Sequence, residues 1–322
     1  TYFPAIQGRT APDDVGERLI AVEEPGQMNL SPVVSPDGRY IAFFSERGLF
    51  TVDIWVADAR TGEVVRKLAG PGSDAHFDAI SFMNSAGAWS PDGRRFAFVA
   101  IAEGDNQLAI LDVASGRVER RVSVPDVGAI SGPAWSPDGR SIAFSGMAGG
   151  ISDLYVLDLE SGAVRQLTRD KHADLQPAWS PDGRTLVFVT DRSEATDFSR
   201  LSYGALRLAQ IDAEGGEVRM LPGFEDAKHV SPAFSPDGTS VYFVSDREGF
   251  SDIYRLALDS GELFQVTWLA TGVSGITALA PALSVAAQTG RLVFSVFENR
   301  GYAIHALEPA AAAGTPVAAG KA

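Results

Sequence analysis

The chain has 322 residues, 45% of them hydrophobic and none of them cysteine. It can therefore bury a sizeable core, and disulfides, thiol catalysis and cysteine-based zinc sites are excluded. Lys and Arg number 27 against 41 Asp and Glu, a formal charge of −14, and a surface that acidic repels phosphate backbones and argues against nucleic acid as a partner. No apolar run approaches the roughly 18 residues of a spanning helix, so no direct membrane insertion is expected.

The chain starts at Thr1 without a methionine, and is expected to have been processed or cut from something longer. Residues 1–16 read as a linker. Residues 17–23 (ERLIAVE) have the look of a strand, and the stretch GERLIAVEEPGQMNLSPVVSPDG matches SGAVRQLTRDKHADLQPAWSPDG further along. The turn that ends both stretches then recurs as VVSPDGR, AWSPDGR, PAWSPDGR, PAWSPDGR and PAFSPDGT. Its serines are Ser35, Ser90, Ser136, Ser180 and Ser235, spaced by 55, 46, 44 and 55 residues. A sixth, worn copy, PALSVAAQTGRLVFSV, places Ser284 49 residues after Ser235.

Each full copy carries four short phrases rich in β-branched and aromatic residues, shown in order by PAWS, SIAFSG, SDLYVLDL and GAVRQLT; all four read as strands. Ser-Pro-Asp-Gly is a turn by its chemistry. Pro presets φ at the second position, Asp tolerates the bridge region and Gly accepts the left-handed region. In the second strands Ile41 and Phe43, Phe96 and Phe98, Ile142 and Phe144, Leu186 and Phe188, Val241 and Phe243, and Leu292 and Phe294 hold matching places, with mostly apolar residues between them. Sheets apolar on both faces and repeated every 40 to 50 residues or so are the blades of a β-propeller.

The last copy lacks a fourth strand and runs into PAAAAGTPVAAGKA, which reads as a second linker. The spare strand at residues 17–23 completes it. The fold expected is all-β: a six-bladed propeller of four-stranded blades over residues 17–308, closed by the N-terminal strand, with a tail over 309–322.

The repeat PAWSPDGR…IAFSG…SDLYVLDLESGAVRQLT resembles the WD40-like repeat of the TolB family of periplasmic six-bladed propellers. In that family the propeller of TolB binds the lipoprotein Pal, and the repeat also occurs beside peptidase domains and in large bacterial envelope proteins. The closing phrase, from TGVSGITALAPALS to YAIHAL, looks like that of the large envelope proteins. The resemblance implies a periplasmic or secreted bacterial protein.

Catalytic motifs are missing. GVSGI and GFSDI lack the second glycine of a nucleophile elbow, and neither HExxH nor a Gly-rich phosphate loop occurs. Binding is expected instead where the loops entering each first strand ring the tunnel. Three positions before the strand's Pro stand Asn29, Asn84, Ile130, Asp174, His229 and Ala278; one position before it stand Ser31, Ala86, Gly132, Gln176, Ser231 and Ala280. The polar members Asn29, Asn84, Asp174, His229, Gln176 and Ser231 are the candidate tunnel-mouth residues. In the insert SDAHFDAISFMNSA, His76 and Asp78 are candidate ligands for a divalent metal ion. His305 reads as packed in its strand, and Asp53, Asp153 and Asp252 as structural. The expectation is a monomeric, non-enzymatic scaffold for a protein or peptide, with no resident cofactor. Two rivals stand beside it, an accessory propeller filtering substrates for a peptidase domain outside this chain, and a tunnel that holds a metal or small ligand.

Overall fold

In the computed structural model, residues 7–48, 51–70, 77–81 and 83–318 are described. They form six antiparallel sheets arranged as the blades of a propeller. Blade 1 comprises Asn29–Val34, Tyr40–Gly48, Thr51–Asp58 and Val64–Ala69, and its strands pair in chain order. Blades 3, 4 and 5 repeat this pattern from Ala129, Asp174 and His229.

The turn between first and second strands is built identically five times. In blade 4 Ser180 Oγ donates to Asp182 Oδ1 at 2.6 Å, the Arg184 N–H donates to the same oxygen, and Gly183 sits at φ +71°. A Cβ there would be strained, so glycine is required. The Ser hydroxyl also accepts the Thr185 N–H, tying the turn to the second strand.

The second strands carry the core. Ile41, Ala42 and Phe43 are at most 1% exposed, and all six residues of Ser240–Ser245 are buried. Each apolar cluster lies between neighbouring blades: Phe44 and Ile54 of blade 1 meet Trp89, Phe96 and Phe98 of blade 2, and Ile41 and Phe43 meet Val293 and Ile304 of blade 6. No blade owns its core alone.

The ring closes as the sequence suggests. Glu17–Ile20 pairs antiparallel with Gly301–Leu307, placing Arg18 opposite His305 and Ile20 opposite Ile304. The closing strand is shorter than the expected 17–23 and ends at Ile20, ahead of the turn at Glu24–Gln27.

Three features depart from the simple repeat. The first strand of blade 2 is split: Phe77–Ile80, which belongs to the insert, and Ala88–Trp89 both pair with Arg95–Ala102. Gly87 permits this, since a Cβ there would lie 2.2 Å from the Phe96 ring. The alanine-rich segment expected as a linker adds Thr315–Val317 to blade 5 as an outer fifth strand against Leu263–Gln265. The arm before Glu17 is also anchored: Thr10 bridges Leu269, and Arg9 is buried against blade 5. Both attachments rest on backbone bonds or one side chain, which leave no periodic pattern in sequence.

Candidate functional site

The first strands face the propeller axis, and a left-handed residue bends four of them. Ser31, Gly132, Gln176 and Ser231 have φ of +48°, +57°, +51° and +55°, and the register with the second strand slips at each. This is a β-bulge, which re-aims the residues after it. In blades 3, 4 and 5 the next three residues are Pro, Ala and an aromatic. Proline is tolerated because the inner edge of a first strand has no neighbouring strand to receive its missing N–H.

The result is an axial cavity of about 580 Å³ opening among the Ser-Pro-Asp-Gly turns. Pro32, Pro133, Pro177 and Pro232 form its inner ring, and Pro36, Pro91, Pro137, Pro181 and Pro236 its outer ring. Between the rings stand Trp89, Trp135, Trp179 and Phe234. Trp89 Nε1 donates to the Val33 carbonyl of blade 1 at 2.9 Å, and Trp179 Nε1 to the Ala134 carbonyl of blade 3 at 3.1 Å. Trp135 packs beside Ala88 on the split strand of blade 2, and its buried Nε1 has no hydrogen-bond partner. Charge is confined to the rim. There the Ser90, Ser136, Ser180 and Ser235 hydroxyls hold Asp92, Asp138, Asp182 and Asp237 below the ordinary carboxylate range.

The far end of the axis is bridged. Gln176 Nε2 of blade 4 donates to the Leu279 carbonyl in the segment entering blade 6 at 2.7 Å, while its Oε1 accepts the Ser231 N–H of blade 5. Ser231 Oγ accepts the Ala282 N–H, and Thr277 Oγ1 donates to Asn84 Oδ1 from across the ring. The segment leading into blade 6 is thus tied across the mouth to blades 2, 4 and 5.

The candidate mouth residues therefore divide. Gln176 bonds to the Ser231 backbone, and Asn84, Gln176 and Ser231 each bond to the crossing segment. Asn29, Asp174 and His229 are at most 1% exposed and do not line the cavity. Asn29 Nδ2 donates to the Tyr302 carbonyl, and its Oδ1 accepts the Ser45 hydroxyl. Asp174 is ion-paired with Arg192. His229 Nε2 accepts the Phe224 N–H at 3.0 Å, and burial pushes its pKa down to about 4.

Of the two metal candidates, only Asp78 falls among the described residues. His76 lies outside the described residues; Asp78 is exposed and accepts the Gly104 N–H at 3.2 Å. Among the described residues no group of three or more His, Asp or Glu is placed to hold a metal ion. His172 Nδ1 lies 3.0 Å from Asp191 Oδ1, with Phe198 edge-on to the ring. His305 is packed as expected, its Nδ1 3.1 Å from the Val15 carbonyl. The strand-opening aspartates are structural: Thr168 Oγ1 donates to Asp153, Thr267 Oγ1 donates to Asp252, and Lys67 pairs with Asp53.

The sequence pattern of the TolB beta propeller domain matches residues 79–204. The fold is a TolB-like six-bladed β-propeller. This TolB-like chain superposes on TolB from Acinetobacter baumannii with a TM-score of 0.57 at 24% identity, covering 72% of this chain and 52% of that one. It superposes on the putative TolB of Agrobacterium tumefaciens with a TM-score of 0.59 at 22% identity, covering 74% and 80%. It is also 30% identical over 219 residues to the uncharacterized peptidase YuxL of Bacillus subtilis, which is 66% of this chain but only 28% of that relative's length. No helix of the described residues is long and apolar enough to cross a membrane.

In this TolB-like ring the residues that build the cavity are the Pro-Ala-Trp triplets and their near-copies. The sequence displays them directly before the turns, whose chemistry draws attention first. The signal that exposes them is the run of three apolar residues on the one strand whose inner edge has no partner.

Proposed function

We propose that this chain is a non-enzymatic interaction propeller of the bacterial periplasm, and that it captures an apolar segment of a peptide or protein in the axial cavity on the turn face. The observation that carries this reading is the cavity's shape and lining: proline and indole walls, a charged rim, and a far end tied across by Gln176, Asn84 and the segment entering blade 6. Such walls offer dispersion contacts and rigid surfaces that cost little side-chain entropy on binding. The periplasmic placement rests on the likeness to TolB.

The test is a panel of uncharged apolar decapeptides against charged ones, measured by calorimetry, with peptides recovered and weighed afterwards. Apolar peptides are expected to bind and return intact. Binding should vanish in Ala178→Arg, which fills the cavity, and persist in Leu201→Asp on the opposite face, where Leu201 is 72% exposed. Binding that survives Ala178→Arg and is lost in Leu201→Asp refutes the assignment of the face.

A second reading is favoured by the match to YuxL: this propeller as one part of a longer peptidase. The bridged mouth weighs against a filter through which substrates pass along the axis. This reading predicts turnover only when the propeller is joined to a catalytic domain, and intact peptides otherwise.

A further inference from the structure

Arg9 enters blade 5 from the N-terminal arm, 243 positions away in sequence from its main partner. Its Nη1 donates to Asp252 Oδ2 at 2.8 Å and to the Leu269 carbonyl at 3.0 Å, and its Nη2 donates to the Glu248 carbonyl at 3.3 Å. The guanidinium lies 4.3 Å from the centre of the Phe250 ring and 4.6 Å from that of Trp268. The side chains of Arg9 and Asp252 are 1% and 0% exposed. Backbone bonds flank the contact: the Thr10 N–H donates to the Trp268 carbonyl at 2.8 Å, and the Ala270 N–H donates to the Thr10 carbonyl at 3.0 Å.

Gly8, Ala11 and Asp14 are exposed. The Arg9 side chain and the Thr10 bridge hold the arm to blade 5, and further along the Val15 carbonyl lies 3.1 Å from His305 Nδ1 of blade 6. The receiving side is built in advance. Asp252 Oδ1 is occupied by the Thr267 hydroxyl and the Leu269 N–H, which leaves Oδ2 for a cation. The equivalent aspartates do without the arm, Asp53 pairing with Lys67 of its own blade and Asp153 taking Gln166 and Thr168.

We propose that Asp252, Phe250, Trp268 and the Glu248 and Leu269 carbonyls form a recognition site for an arginine carried on an extended peptide, with Arg9 as its occupant in cis. The chemistry selects guanidinium over ammonium. Only a planar fork can donate to a carboxylate and two carbonyls while lying against two aromatic rings. The Thr10 bridge shows how the rest of such a peptide lies, as one residue of added strand beside Leu269. An arginine peptide from a partner competes with the arm for this site. The site is separate from the axial cavity, and stands or falls independently of it.

The test uses the full chain carrying Arg9→Ala and three blocked pentapeptides: Gln-Gly-Arg-Thr-Ala, the chain's own residues 7–11, and the same peptide with lysine or citrulline in place of arginine. The variant is expected to melt several degrees below wild type. It should bind the arginine peptide by calorimetry, with Tm rising as peptide is added, because a ligand of the native state stabilises it. The lysine and citrulline peptides, and the arginine peptide on wild type, should bind about tenfold more weakly or worse, the equivalent of about 1.4 kcal/mol. Equal melting of variant and wild type, equal binding of the arginine and lysine peptides, or equal binding to variant and wild type overturns the proposal. If Arg9→Ala does not fold, Arg9→Lys carries the same measurement: the arginine peptide must raise its Tm and leave that of wild type unchanged.

Discussion

Asn29, Asp174 and His229 hold the same place in three repeats, and each spends its polar groups on the interior. His229 shows the cost most clearly. Its ring packs against both Phe224 and Phe243, with Nε2 accepting the Phe224 N–H and Nδ1 3.2 Å from the Leu206 carbonyl, an arrangement that suits the neutral ring. Burial therefore lowers the pKa from 6.5 to about 4. A base with a depressed folded pKa gives stability that is fully present above 6.5 and is lost as pH falls toward 4, because the unfolded chain takes the proton first. The loss is on the order of 3 kcal/mol at 1.36 kcal/mol per pKa unit. The carboxyl of Asp153, raised by burial, works in the opposite direction, because the folded chain takes that proton before the unfolded one. An NMR titration of the His229 ring separates the two: it is expected to stay neutral below pH 5, and a midpoint near 6.5 would contradict the burial argument.

Among the elements, the turn and the closing strand were readable in sequence because their determinants are local and repeated. Ser, Pro, Asp and Gly each answer one backbone requirement, and the apolar pair Leu19 and Ile20 (8% and 2% exposed) announces a face to be covered. The outer strand Thr315–Val317 was not readable, since it pairs at an edge through backbone groups and sits in an Ala, Gly and Pro context. The polar mouth was half readable. Position before the Pro identifies Gln176 and Ser231, but the bulge that turns those residues inward and the crossing segment that consumes their bonds are tertiary facts. The closing strand carries a prediction. Removing residues 1–24 strips Gly301–Leu307 of its outer partner and uncovers Ile304, so the truncated chain should melt lower and self-associate through the bare edge. Light scattering together with a melt identical to those of the full chain would show that closure does not depend on this strand.

At the scale of the whole ring, the location of the core decides how the molecule unfolds. The apolar clusters lie between blades rather than within them, and the largest runs through blades 4, 5 and 6 with Val187, Phe243, Tyr254 and Phe294. A blade that opens strips both neighbours of their covering, so the contacts that stabilise one blade are the contacts of the next. Linear repeat arrays can fray from their ends, whereas a ring closed by Glu17–Ile20 has no free end from which to begin. A single transition is therefore expected in thermal and denaturant unfolding, followed by tryptophan fluorescence and by far-UV circular dichroism alike. Phe243 tests this sharply, because it is fully buried at the centre of blade 5, with Tyr254, Phe224 and His229 around its ring. Phe243→Ala removes about 3–5 kcal/mol of transfer and cavity energy. In a cooperative ring that loss moves the whole curve to lower temperature with its shape preserved. If blade 5 were an independent unit, the variant would show an early partial transition while the tryptophans of blades 2 and 3 reported an unchanged midpoint. The coincidence of the two probes in the variant thus measures whether closure makes six blades one folding unit.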